Sequence, residues 1–458
     1  MKTLLRGGTV VSGNGLLRAE VLMEDEKIVR VEKELSAADA EVVDVSGKLL
    51  FPGFIDAHTH FDLDVCNTTT ADDFASGTLS AVCGGTTTVV DFACPEKGQT
   101  LDYGLRLWHE KADGRCFSDY GFHMTVDDWN DAIRAEVPEM FRQGVSSFKM
   151  YMTYPAMMLP EAAHLAAMTE IAKLGGLTGM HCEDSATIDA KIAELKQAGR
   201  LAPSSHPLAR PASAEAAAVA RFCELARQAN ALAMVVHLSA KESLDAVRAA
   251  RKRGVRVCVE TCPQYLLLDD SVYSAPDYDT AAGFICAPPI RKQEDAEALW
   301  KALESGEIQT VSTDHCSFTR AQKQAGRGDF TKIPGGLPGA ETRGILLYSA
   351  GVAAGKITAQ TMCRVLCENP AKLYGMFPRK GVIAAGADAD LVVLDPEAQG
   401  VLTAGALHSC AGYTPFEGIP LRGRIETVYL RGAVAAHDGE PVGQPRGRYV
   451  SRETPQPI

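Results

Sequence analysis

Between about residues 51 and 313, short apolar runs alternate with longer stretches of helical spacing. The runs are 54–60, 86–92, 120–126, 147–152, 177–182, 234–238, 256–261 and 308–313, and the clearest helical stretches are 212–228 and 241–253. Strands that are apolar on both faces must be covered on both faces, and strand–helix alternation does this with a parallel sheet. Eight such units predict a TIM (β/α)8 barrel of the α/β class. The spacing is uneven, so some connections carry insertions.

The flanks have a different rhythm. Residues 1–50 carry short strand-like runs, such as Thr9-Val10-Val11 and Lys27-Ile28-Val29-Arg30-Val31, separated by turns such as Gly13-Asn14-Gly15. The same pattern returns after residue 381, in Leu391-Val392-Val393-Leu394 and Thr427-Val428-Tyr429-Leu430. The simplest assembly is one small β-sandwich built from 1–50 and 381–440, with the barrel 51–380 inserted between its halves. Residues 441–458, rich in Pro, Gly and Arg, read as a tail.

Composition excludes some functions. The formal net charge of −12 argues against non-specific nucleic-acid binding, which needs a basic surface. The 13 cysteines form no C-x-x-C pair, and many sit in apolar runs, as reduced thiols of a cytoplasmic protein would. No run approaches a membrane span, and the N-terminal apolar stretch is too short for a signal peptide.

Barrel chemistry gathers at the C-terminal ends of the strands. There the chain places His58 and His60, then Lys149, His181, His237 and Asp314. Taken alone, His58-x-His60 is weak, His181 or His237 is more often a hydrogen-bonded core residue, and Asp314 could cap a helix. Together, at the ends of strands that share one mouth, they suggest a divalent-metal site. Lys149 is the odd member, because an ammonium has no lone pair to offer. Its amine could react with carbon dioxide to give a carbamate, whose two oxygens can bridge two cations about 3.5–4 Å apart. Alternatively, Lys149 is paired with Asp314 or Glu183.

These residues carry a resemblance. His58-x-His60, Ser147-Phe148-Lys149, His181-Cys182-Glu183, His237-Leu238-Ser239 and Thr313-Asp314-His315-Cys316 are similar to the motifs of the dihydropyrimidinase and hydantoinase family of cyclic amidohydrolases. Gly84-Gly85-Thr86-Thr87-Thr88, Glu260-Thr261-Cys262-Pro263-Gln264-Tyr265, Pro288-Pro289-Ile290-Arg291, Pro378-Arg379-Lys380-Gly381 and Ala387-Asp388-Ala389-Asp390 extend the likeness over about 3–450. Bacterial phenylhydantoinase-like members are the nearest match. The resemblance implies two divalent metals, usually zinc. His58, His60 and Asp314 would hold one and His181 and His237 the other, with carboxylated Lys149 as the bridge. It implies hydroxide generated at the metal pair, Asp314 as general acid and base, and Tyr154 as hydrogen-bond donor to the oxyanion. The product would be an N-carbamoyl amino acid from a 5-substituted hydantoin or a 5,6-dihydropyrimidine. A homotetramer is also implied.

Substrate contacts are expected from backbone groups of Ala287 and Gly335, where the family commonly has Ser and Asn. Leu63, Phe92 and Leu159, in the loops over the mouth, are candidates for contact with an apolar substituent. Rival readings are allantoinase, dihydroorotase, or a non-catalytic scaffold of the dihydropyrimidinase-related type. The scaffold relatives lack the metal ligands that this chain keeps.

Overall fold

The computed structural model describes residues 2–36 and 38–458. All eight expected strands form: β1 (Phe54–Thr59), β2 (Thr86–Ala93), β3 (Asp119–Thr125), β4 (Ser147–Tyr151), β5 (Leu177–His181), β6 (Leu232–Val235), β7 (Val257–Thr261) and β8 (Thr310–Val311). They are parallel and neighbour one another in chain order. Every residue of β1 to β5 is buried, which is why these strands read as continuous apolar runs. The intervening helices include Phe74–Cys83, Leu101–Ala112, Asp131–Arg142, Glu161–Lys173, Ala212–Ala229, Lys241–Lys252 and Gln293–Glu304.

β8 has only two residues, so side chains complete the closure of the barrel. Thr59 bridges His315 in parallel, and the His60 N–H donates to the His315 carbonyl at 2.7 Å. Asp56 accepts from the Thr313 N–H at 3.1 Å and from the Thr313 hydroxyl at 2.7 Å, tying β1 to the end of β8. The fully buried Arg343 donates to the carbonyls of Ile55 and Val311 and to the Thr86 hydroxyl, and so joins β1, β8 and β2. The Gly84-Gly85 turn before β2 is a close approach. A Cβ on Gly84 would lie 2.1 Å from the Glu341 carbonyl oxygen, and Gly85 has φ +86°.

The two chain ends interleave as expected. Leu391–Val401 pairs antiparallel with Leu49–Pro52 on one side and with Pro420–Leu430 on the other. The sheet continues through Thr9–Ser12 to Gly15–Arg18, an edge strand whose exposed leucines give no sequence signal. A four-stranded sheet of Lys27–Glu32, Glu20–Glu24, Lys2–Arg6 and Glu41–Asp44 packs with it over Leu5, Val21, Ile28, Leu50, Leu391 and Val393. The Pro378–Gly381 and Ala387–Asp390 motifs serve this junction. Buried Lys380 donates to Asp119 of β3 at 2.8 Å and to Asp390 at 2.6 Å. The last residues, expected as a tail, run along the barrel. Val450 donates to the Tyr120 carbonyl, Gly447 to that of Cys116, and the Arg452 guanidinium to that of Phe122.

Candidate active site

β1, β4, β5, β6 and β8 deliver their terminal side chains to one mouth. Asp314 Oδ1 lies 3.2 Å from His58 Nε2 and 3.3 Å from His60 Nε2. His181 Nδ1 faces His237 Nε2 at 3.0 Å, and the His58 and His237 rings are 5.3 Å apart. Ligand atoms of His58, His237 and Asp314 all fall within 4.8 Å of one another. The expected set is therefore gathered in one place.

The supporting partners fix which nitrogen each ring offers. His58 Nδ1 lies 2.6 Å from Glu260 Oε1, and His181 Nε2 lies 2.7 Å from Glu183 Oε2. A ring that donates one N–H to a carboxylate presents a lone pair at the other nitrogen. Those free nitrogens, His58 Nε2 and His181 Nδ1, are the ones that point into the cluster. Glu183 also receives the Arg210 guanidinium, and Glu260 the His237 backbone N–H at 3.1 Å. Burial alone would raise the Asp314 carboxyl, but His58, His60 and His237 around it, when protonated, hold it well below its ordinary value. An ionised carboxylate and imidazole lone pairs form a donor set that suits divalent cations of the zinc type.

Lys149 fits the same reading. It is 2% exposed, yet among the described residues no carboxylate lies within ion-pair distance of its Nζ. Its hydrogen-bond partner is His58 Nε2 at 3.1 Å, and the rings of Phe92 and Tyr151 lie 4.5 and 5.1 Å away. The alternative pairing with Asp314 or Glu183 does not form, and Glu183 is already engaged by His181 and Arg210. Burial lowers the Lys149 amine from its ordinary value, toward the neutral, nucleophilic form.

Three site residues hold left-handed backbone conformations that side chains seldom adopt: Tyr154 (φ +67°), His237 (φ +40°) and Asp314 (φ +53°). Such conformations cost roughly 1–3 kcal/mol each and concentrate at functional sites. The Tyr154 ring is 5.2 Å from that of His181, and burial pushes its phenol up, so it remains a proton donor.

A cavity of about 920 Å³ opens above the cluster. His60, Lys149, His181, His237 and Asp314 form its floor, and Tyr154, Ala287, Gly335 and Leu63 are in its wall. Phe92 and Leu159 are not. Phe92 stacks on His60 at 5.0 Å and lies tilted against His58 at 4.7 Å, and Leu159 is buried in the main core. The wall includes residues the sequence did not single out: Trp108, Ile192, His206, Arg210, Phe330 and Ile333. They come from four segments, at 108, 192, 206–210 and 330–333, that only the fold brings together.

The likeness to known proteins is consistent along the chain. The amidohydrolase family profile matches residues 49–435. A D-hydantoinase of Geobacillus stearothermophilus is 40% identical over 456 residues, covering 99% of this chain and 97% of that protein. A D-phenylhydantoinase of Escherichia coli is 39% identical over 99% of this chain and 98% of its own length. Among solved structures, dihydropyrimidinase from Brevibacillus agri superposes with a TM-score of 0.98 at 39% identity, covering 100% of both chains. This chain belongs to the amidohydrolase family, in the branch of the hydantoinases and dihydropyrimidinases.

Proposed function

We propose that this enzyme hydrolyses a cyclic ureide, opening a 5-substituted hydantoin or a 5,6-dihydropyrimidine to its N-carbamoyl amino acid. The observation that carries the reading is the convergence of His58, His60, His181, His237 and Asp314 around the unpaired, buried Lys149 at the floor of a substrate-sized cavity. His58, His60 and Asp314 would hold one divalent cation and His181 and His237 a second, with carboxylated Lys149 between them. Zinc suits these donors. Such cations, when bound, supply Lewis-acid activation of a water and of the scissile carbonyl.

The chain's own groups do the rest. Asp314 takes the proton of the attacking water on its carboxylate and returns it to the leaving ring nitrogen. The Tyr154 hydroxyl donates to the carbonyl oxygen as negative charge develops there. Backbone groups of Ala287 and Gly335 meet the polar edge of the ring. Among the described residues, neither spends its N–H or C=O on a hydrogen bond within the chain. Leu63, Val65, Trp108, Met157 and Phe330 offer the 5-substituent an apolar wall.

A substrate carboxylate, as in dihydroorotate, would need a free basic group. The cavity's Lys97, Lys111 and Arg210 are each engaged, by carbonyls of Pro155 and Met158, by that of Asp62, and by Glu183. The D names of the relatives support D-enantiomer preference here. The same reading carries a homotetramer acting in the cytoplasm; among the described residues no helix is long and apolar enough to cross a membrane. A panel of hydantoin, D- and L-5-phenylhydantoin, dihydrouracil, allantoin and dihydroorotate tests it. N-carbamoyl product is expected from the hydantoins and dihydrouracil, with the D isomer preferred. Hydrolysis of allantoin or dihydroorotate alone would refute it.

A further inference from the structure

Lys323 is an unusual buried cation. It lies on the short helix Arg320–Gln324, beyond β8, and is 2% exposed. Its three N–H groups are all spent on backbone carbonyls: Ile285, Pro334 and Gly336, each at 2.8 Å. Among the described residues, no carboxylate lies within ion-pair distance of it. Burying an ammonium without a counter-ion is costly. Here the three carbonyl dipoles offset that cost.

The position of those carbonyls gives the cation a role. Ile285 is two residues before Ala287, and Pro334 and Gly336 flank Gly335. The two segments already touch, since the Gly336 N–H donates to the Ile285 carbonyl at 3.0 Å. Among the described residues, Lys323 is the one donor to the Pro334 and Gly336 carbonyls. These carbonyls turn inward to the ammonium, while Ala287 and Gly335 between and beside them stay partly exposed in the cavity wall. An apolar side chain at this position would leave the Pro334 and Gly336 carbonyls without a donor and would remove the link from them to the Ile285 carbonyl, which would keep the Gly336 N–H.

We propose that Lys323 is a positioning residue for substrate recognition, clamping the Ile285–Ala287 and Pro334–Gly336 segments at the spacing that lets both meet one ring. The ligand in this statement rests on the ring-opening reading above, whereas the clamp does not. Burial lowers the Lys323 amine to about 8, consistent with a cation held only by carbonyls.

The test uses the full-length, metal-loaded protein and the variants Lys323→Met and Lys323→Arg. Lys323→Met is expected to raise KM for 5-phenylhydantoin by about tenfold, the loss of roughly one well-placed hydrogen bond, with kcat changed by less than about threefold. Metal content should be unchanged. Lys323→Arg keeps the charge but not the three-carbonyl geometry, so it should show a KM rise too, and it serves if the Met variant fails to fold. Hydrogen–deuterium exchange without substrate should quicken in peptides covering 284–287 and 333–337 together. Unchanged KM and unchanged exchange in a folded variant would overturn the proposal. A wild-type protein inactive on every cyclic ureide would instead sink the ring-opening reading, and exchange would still decide the clamp.

Discussion

Lys149 sits where a lysine has no ordinary reason to be. It lies between the His58 imidazole and aromatic rings, with a pKa lowered by burial and, among the described residues, no carboxylate within ion-pair distance. Carboxylation would turn that liability into a ligand. Lys149→Ala is therefore expected to lose bound metal and to lower kcat/KM by about a thousandfold or more, with the fold intact. Metal analysis and circular dichroism of the purified variant check this, and full metal content with full activity would refute the carbamate. Neighbouring residues act through orientation. Glu260 and Glu183 set the tautomers of His58 and His181, and Phe92, expected to touch substrate, instead supports the rings from below. Motif spacing shows which strand end a residue occupies. It does not show whether its side chain rises into the cavity or packs beneath the histidines.

The barrel strands were legible because their physics is local. A strand covered on both faces is apolar throughout, and its terminal polar residues then stand out as candidates for the site. The same logic explains the gaps. Gly15–Arg18 is an exposed edge strand with no such signature, and β8 is only two residues long, with Asp56 and Arg343 bonding across its seam to β1. The cavity wall was less legible, since Arg210 and the 330–333 segment reach it from two separate insertions. The turn between the helix Phe74–Cys83 and β2 depends on glycine for a contact far away in sequence. Gly84→Ala would press a methyl group against the Glu341 backbone and should destabilise the protein by about 1–3 kcal/mol. Chemical denaturation of metal-loaded protein measures this, and an unchanged midpoint would contradict it.

At the scale of the molecule, the barrel and the sandwich share an ionic junction. Lys380 stands among Asp119, Asp388 and Asp390, with Arg431 also on Asp119. This cluster accounts for two sequence motifs that the chemistry leaves unused. Lys380→Met would strand buried carboxylates and is expected to cost about 3–5 kcal/mol, read as a lowered unfolding midpoint. A variant as stable as the parent would show that the junction is held by its apolar contacts alone. The sandwich from both termini is thus tied to the N-terminal end of β3, on the side of the barrel away from the mouth.

The most direct measurement is a metal titration of activity. Protein stripped by chelation is supplied with bicarbonate and increasing Zn²⁺, and N-carbamoyl amino-acid release from D-5-phenylhydantoin is followed. No release is expected at zero metal, and a plateau at about two equivalents per chain. Full release from metal-free protein, or none from metal-replete protein, would contradict the reading of this site.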